Sequence, residues 1–147
     1  TFRRTKGEDP FTEVPREVAE RLGREGEGAL AIAGERGPVV LPIRWRADET
    51  SLYAALPADI LALAGAGPDA DVALTVDAPS IWRARDMVGA MFQGTASFAV
   101  DGAVGSGASS LRSLATSIAP GATAVARVTP SRVVWWQGWT SGSAEPA

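Results

Sequence analysis

From Val39 to Ala47 the chain alternates so regularly that only an extended strand can sort it. Val39, Leu41, Ile43 and Trp45 fall on one face, and Val40, Pro42, Arg44 and Arg46 on the other. A longer run, Met87 to Val100, behaves alike: Val88, Ala90, Phe92, Ala96, Phe98 and Val100 share one face, while Met91, Gln93, Thr95 and Ser97 share the opposite one. Strands leave unpaired N–H and C=O groups at a sheet edge, and closing the sheet on itself removes that edge. A chain built around these two runs is therefore expected to form a barrel.

The remaining segments supply further strands and short helices. Ala29 to Ala33 is an apolar run, followed by a turn over Gly34 to Gly37. Asp48-Glu49-Thr50 is turn chemistry that joins the 39–47 strand to Leu52–Leu56 as an antiparallel hairpin. Pro42 inside a strand predicts an edge or a bulge. Val72, Leu74 and Val76 mark another strand, and Thr123–Val128 and Arg132–Gln137 alternate on either side of Thr129-Pro130-Ser131. Helices are expected where Val14, Val18 and Leu22 recur before Gly23, over Pro57 to Gly65, and from Ser109 to Ile118 before Pro120-Gly121. The fold class is thus mainly β with short helices, a single domain over 1–147 with six or seven antiparallel strands, a polar arm at 1–11 and a flexible tail at 140–147.

The sequence contains no cysteine and no histidine. Disulfides, thiolate nucleophiles, Ser-His-Asp triads, zinc on Cys or His, and heme on a proximal histidine are all excluded. Net charge is -3 and the 14 basic residues are scattered, so no nucleic-acid partner is expected. No stretch reaches the roughly 20 apolar residues needed to cross a bilayer, so no membrane role is expected. Thr1-Phe2-Arg3-Arg4 leads into no apolar core of a secretion signal, which makes a cytoplasmic protein the expectation. Asp69 and Asp71 form a D-x-D too sparse for a metal site, and Gly102–Gly107 lacks the Lys-Ser/Thr of a phosphate loop.

The order of these segments resembles the flavin-binding split barrel of the pyridoxamine-phosphate-oxidase-like family. Ala29-Leu30-Ala31-Ile32-Ala33, Gly34-Glu35-Arg36-Gly37-Pro38, Val39-Val40-Leu41-Pro42-Ile43 and Ser51-Leu52-Tyr53 look like its opening strands. Val88 to Ser97, with Gln93-Gly94-Thr95-Ala96, looks like its central strand, and Val128 to Trp135 like its closing hairpin. The resemblance covers residues 14 to 139. It implies a homodimer that binds FMN or the deazaflavin F420 between subunits and passes hydride to or from a small organic substrate, the cofactor carrying the chemistry.

Candidate cofactor-binding residues follow. Arg44 and Arg46 project to one face of a strand, where planar guanidinium forks suit a phosphate or carboxylate. Trp45 lies between them and also reads as core. Arg83 and Arg85 sit on the loop that carries Trp82, before the long strand. Gln93, on the polar side of the long strand, either meets the flavin ring, as the resemblance implies, or faces water or a partner subunit, and Trp136, beside Trp135 and near Trp139, offers a planar surface for a ligand or a partner subunit. No catalytic residue is assigned. Where many relatives hold a phosphate with Ser or Thr and Lys or Arg after the third strand, this chain has Ala55-Leu56-Pro57-Ala58-Asp59-Ile60, with no base and one acid. The alternative is accordingly a non-catalytic split barrel that binds another small ligand or none.

Overall fold

The computed structural model describes residues 9–78, 87–100 and 114–145. The element order is α1 (Arg16–Leu22), β1 (Glu25–Gly34), β2 (Gly37–Ala47), β3 (Leu52–Leu56), α2 (Asp59–Ala64), β4 (Asp69–Asp77), β5 (Val88–Val100), β6 (Ala124–Gln137) and β7 (Thr140–Ala144). A helical turn at 114–118 precedes β6. Every pairing is antiparallel, in the order β3-β2-β1-β4-β5-β6-β7, and an additional β3–β6 pairing closes the first six strands into a barrel. The inward faces are those that the alternation marks: Leu41, Ile43 and Trp45 of β2, and Val88, Ala90, Phe92 and Ala96 of β5, are all buried.

Four features depart from the sequence reading. The stretch Thr123–Val128, Arg132–Gln137 is no hairpin. It is one strand, β6, which stays paired with β5 along its length and shifts register where Gln93 faces Arg132 but Gly94 faces Pro130. Ser131 is the extra residue, a bulge on β6. The missing side chain at position 94 makes this possible, since a Cβ there would overlap the Thr129 carbonyl oxygen and stand 2.9 Å from Pro130 Cα. Pro130 looks like a turn residue because it lacks an N–H, and a bulge tolerates that loss equally well.

The reading of 140–147 as a flexible tail is also corrected, because Thr140–Ala144 forms β7 on the edge of β6. Gly138, with φ 60°, and Trp139 make the two-residue turn between them. The segment is small and polar because it lies on an exposed edge, not because it is unstructured.

The third departure is at the N-terminal side. Pro10 and Phe11, assigned to a polar arm, are buried. The Phe11 ring meets Phe92 edge-on at 5.2 Å and lies 5.9 Å from Trp45. Arg24 holds this plug in place: its guanidinium lies 5.0 Å from the Phe11 ring centroid, and two of its nitrogens donate to Asp9 at 3.1 Å each.

The fourth departure is the start of β1, which extends back to Glu25 through Gly26 and Gly28. Both glycines face inward under the Trp45 indole, whose Cδ1 would lie 3.4 Å from a Cβ at Gly28. Two glycines weaken a strand by intrinsic preference, and here the tryptophan on the neighbouring strand occupies the volume they leave. As for Pro42, β3 pairs only with Arg44–Ala47, so Pro42 sits where one side of β2 is free, the edge position expected for it.

Two stability predictions follow. Phe11→Ala removes a buried ring at the barrel mouth and is expected to cost roughly 3 kcal/mol, read from urea midpoints at unchanged slope. Gly94→Ala forces the bulge apart and is expected to cost about 2 kcal/mol or more, whereas a hairpin at 129–131 would tolerate it.

Candidate functional site

Strand pairing sets the site's layout. On the outer surface of the barrel, residues from five adjacent strands line up in one row: Arg44 of β2, Glu27 of β1, Asp77 of β4, Gly89 of β5 and Trp136 of β6. Glu27 and Asp77 lie one step beyond the paired Gly28 and Val76. Gly89 leaves a gap in the row, and the Trp136 indole fills it; a Cβ at Gly89 would overlap the ring. Trp135 does the same on the opposite face of β6, where its indole lies over Gly142 of β7. Consecutive tryptophans thus point to opposite sides, as period two requires, and each is seated on a glycine of a different neighbouring strand.

Two cavities open along this row. The first, about 700 Å³, is floored by Ala29, Pro42 and Thr75 and bounded by Pro57 and by the strap 119–122 that follows the helical turn. The second, about 580 Å³, reaches the Trp136 end and is bordered by Glu25, Met87 and Val88. They share Glu27, Arg44, Thr75 and Asp77, so together they form one groove. Volumes of this size suit a small organic ligand.

Arg44 and Arg46 do share the outer face, but both are engaged by the end of the helical turn. Arg46 donates to the Ser117 hydroxyl at 2.8 Å and to the Ser117 carbonyl at 2.7 Å, and pairs with Glu25 at 3.3 Å. Arg44 donates through Nε to the Ile118 carbonyl at 3.3 Å, with Glu27 at 3.9 Å from its Nη1. The last carbonyls of a helix lack internal partners, and cations meet them favourably. These arginines therefore anchor the strap that borders the groove. Arg44 alone of the pair also lines it.

Trp45, included with the cofactor-binding candidates, is 1% exposed inside the barrel, so a ligand on the outer face cannot reach it. Its indole N–H has no hydrogen-bond partner among the described residues. Gln93 lies on the outer face of β5 and accepts a hydrogen bond from Arg132 at 3.3 Å. Arg132 in turn lies 3.0 Å from Glu145, close enough for charge attraction but out of line for a hydrogen bond. Gln93 borders neither cavity; Trp136 borders the second. Arg83 and Arg85, with Trp82 and the glycine run 102–107, lie outside the described residues.

Glu27, Asp77 and the strap 119–122 were not picked out from the sequence. Glu25 and Glu27 do alternate with Gly26 and Gly28 in period two, which was a strand signal, but glycine at the inward positions hides it. The strap is a matter of tertiary contact alone. No group of three or more acidic side chains among the described residues is arranged to hold a metal ion, and no helix among them is long and apolar enough to cross a membrane.

No protein-family model matches the chain, and no curated protein matches it. Solved structures do. A heme binding protein from Mycobacterium smegmatis superposes with a TM-score of 0.59 at 16% identity, over 99% of this chain and 60% of that one. This chain thus spans about 60% of that protein's length. A FAD-binding protein from Mesorhizobium loti superposes with a TM-score of 0.52 at 22% identity, over 86% of this chain and 91% of that one. At these identities what is shared is architecture: a split barrel of six antiparallel strands closed into a ring, with a seventh strand outside it.

Proposed function

We propose that the chain is a split-barrel protein that binds a planar ligand of the flavin or deazaflavin class in the outer groove. The observation that carries this reading is the groove itself: about 700 Å³, floored by small side chains and prolines, on a fold shared with a FAD-binding protein. Ala29, Pro42, Pro57 and Pro120 offer flat, largely apolar surfaces for a ring system. Bound there, a flavin or F420 supplies hydride transfer, which makes an oxidoreductase acting on a small organic substrate the activity that fits.

The ring fits the described residues better than a phosphate does. Arg44 is the only cation among the described residues that line either cavity, and it already faces Glu27 and the Ile118 carbonyl. The residues after β3 add Asp59 and no base. This favours, as the second reading, a barrel that binds such a ring without the phosphate-anchored catalysis of FMN enzymes. Heme fits less well, since with no histidine or cysteine only its two methionines and one tyrosine remain as familiar axial ligands.

The chain is further proposed to act as a homodimer. Ala31 of β1 and Ala73 of β4 make a flat outer surface beside Val40, which is 69% exposed. A second copy placed there would cover Val40.

Titration of the purified protein with riboflavin, FMN, F420 and heme, followed by absorbance, tests the ligand reading. Saturable binding of a flavin or deazaflavin that Thr75→Trp weakens at least tenfold, with little change in melting temperature, is the expected result. Binding that ignores Thr75→Trp places the ligand elsewhere. Sedimentation is expected to give twice the chain mass for the parent and the single mass for Ala31→Arg; a monomeric parent would remove the dimer.

A further inference from the structure

The charge of the groove points away from the phosphorylated ligands that the fold suggests. Among the described residues, the second cavity is bordered by Glu25, Glu27 and Asp77 against one cation, Arg44. Glu25 is matched by Arg46 at 3.3 Å, and Arg44 is divided between Glu27 at 3.9 Å and a carbonyl. Asp77 has no ion-pair or hydrogen-bond partner among the described residues, and it is exposed beside the Trp136 indole across Gly89. Among the described residues only Arg44 could face a phosphate, and it is already shared between Glu27 and the Ile118 carbonyl. Among the described residues the acidic groups are not arranged to hold a metal ion.

Resting on the proposed reading of the groove as a planar-ligand site, we infer that it selects ring ligands bearing a positive charge or amino group, and disfavours phosphorylated ones. The ring lies along Ala29, Pro42 and Pro120, and its positive end lies between Glu27 and Asp77 at the Trp136 wall. An indole attracts cations through its ring face, and two carboxylates beside it strengthen the preference. A terminal phosphate placed in the same space carries nearly two negative charges toward both carboxylates.

Three tricyclic probes vary the charge: a phenothiazinium cation, neutral riboflavin, and FMN, which differs from riboflavin only by its phosphate and so isolates that charge. Affinities are measured by calorimetry at low salt and again at 0.5 M salt. The expected order is cation, then riboflavin, then FMN, with the cation at least tenfold tighter than FMN and the gap shrinking severalfold in salt, as screened surface charges require. The double substitution Glu27→Gln, Asp77→Asn is expected to weaken the cation about fivefold, strengthen FMN, and leave riboflavin within twofold. Thr75→Trp, which fills the groove, is expected to abolish binding of the cation; if it does not, the cation is bound elsewhere and the inference falls. FMN binding as tightly as riboflavin or tighter overturns the charge preference while leaving the flavin reading standing. Cation binding without either flavin overturns the flavin reading and upholds the charge preference. Failure of all three probes overturns both.

Discussion

The barrel depends on how β6 divides its two edges. One edge is paired with β5 from Ala124 to Gln137, while the other is shared between β3, which meets Leu52–Leu56 to residues 124–128, and β7, which meets residues 133–137. A straight strand could not leave one neighbour and take up another while keeping its inward side chains inward. The bulge at Ser131 supplies the bend, and Gly94 supplies the room for it. Through this one irregularity the first half of β6 completes the ring and the second half carries Trp136 to the outer groove.

A second physical theme is the pairing of indoles with glycines. Trp45 lies over Gly26 and Gly28, Trp136 over Gly89, and Trp135 over Gly142. In each case a large ring takes space that a neighbouring strand leaves by lacking Cβ atoms, so the dense packing of a protein interior is kept without widening the sheet. The first of these pairs fills the barrel. The second forms the end wall of the groove. The third secures β7, an edge strand of small residues with little apolar surface of its own to bury.

The outer face shows how the same arginines can be read in two ways. Arg44 and Arg46 look like anion anchors when considered as a pair on one strand face, but their partners are the carboxylates of Glu25 and Glu27 and the neutral carbonyl acceptors at the end of a helical turn. Their geometry makes them clasps for the strap that borders the outer groove. Among the described residues the charge left over along the row is acidic, centred on Glu27 and Asp77, beside a floor of small side chains and proline.

Much of the fold was determined by the sequence alone. Period-two alternation along β2 and β5 assigns every inward side chain of those strands, because a strand has only two faces, and the glycine stops at Gly23 and Gly65 end α1 and α2 with positive φ, as local backbone preference dictates. The order of the segments was enough to suggest a split barrel. What the tertiary structure decided is where chain-distant groups meet. Only the pairing of β6 turns Thr129-Pro130-Ser131 from an apparent turn into a bulge, and only the barrel mouth makes Phe11 a core residue through Phe92, Trp45 and Arg24. The groove belongs to the same class. Arg44, Glu27, Asp77 and Trp136 come from four strands, and their alignment rests on hydrogen-bond register across the sheet, a long-range property that no local pattern encodes.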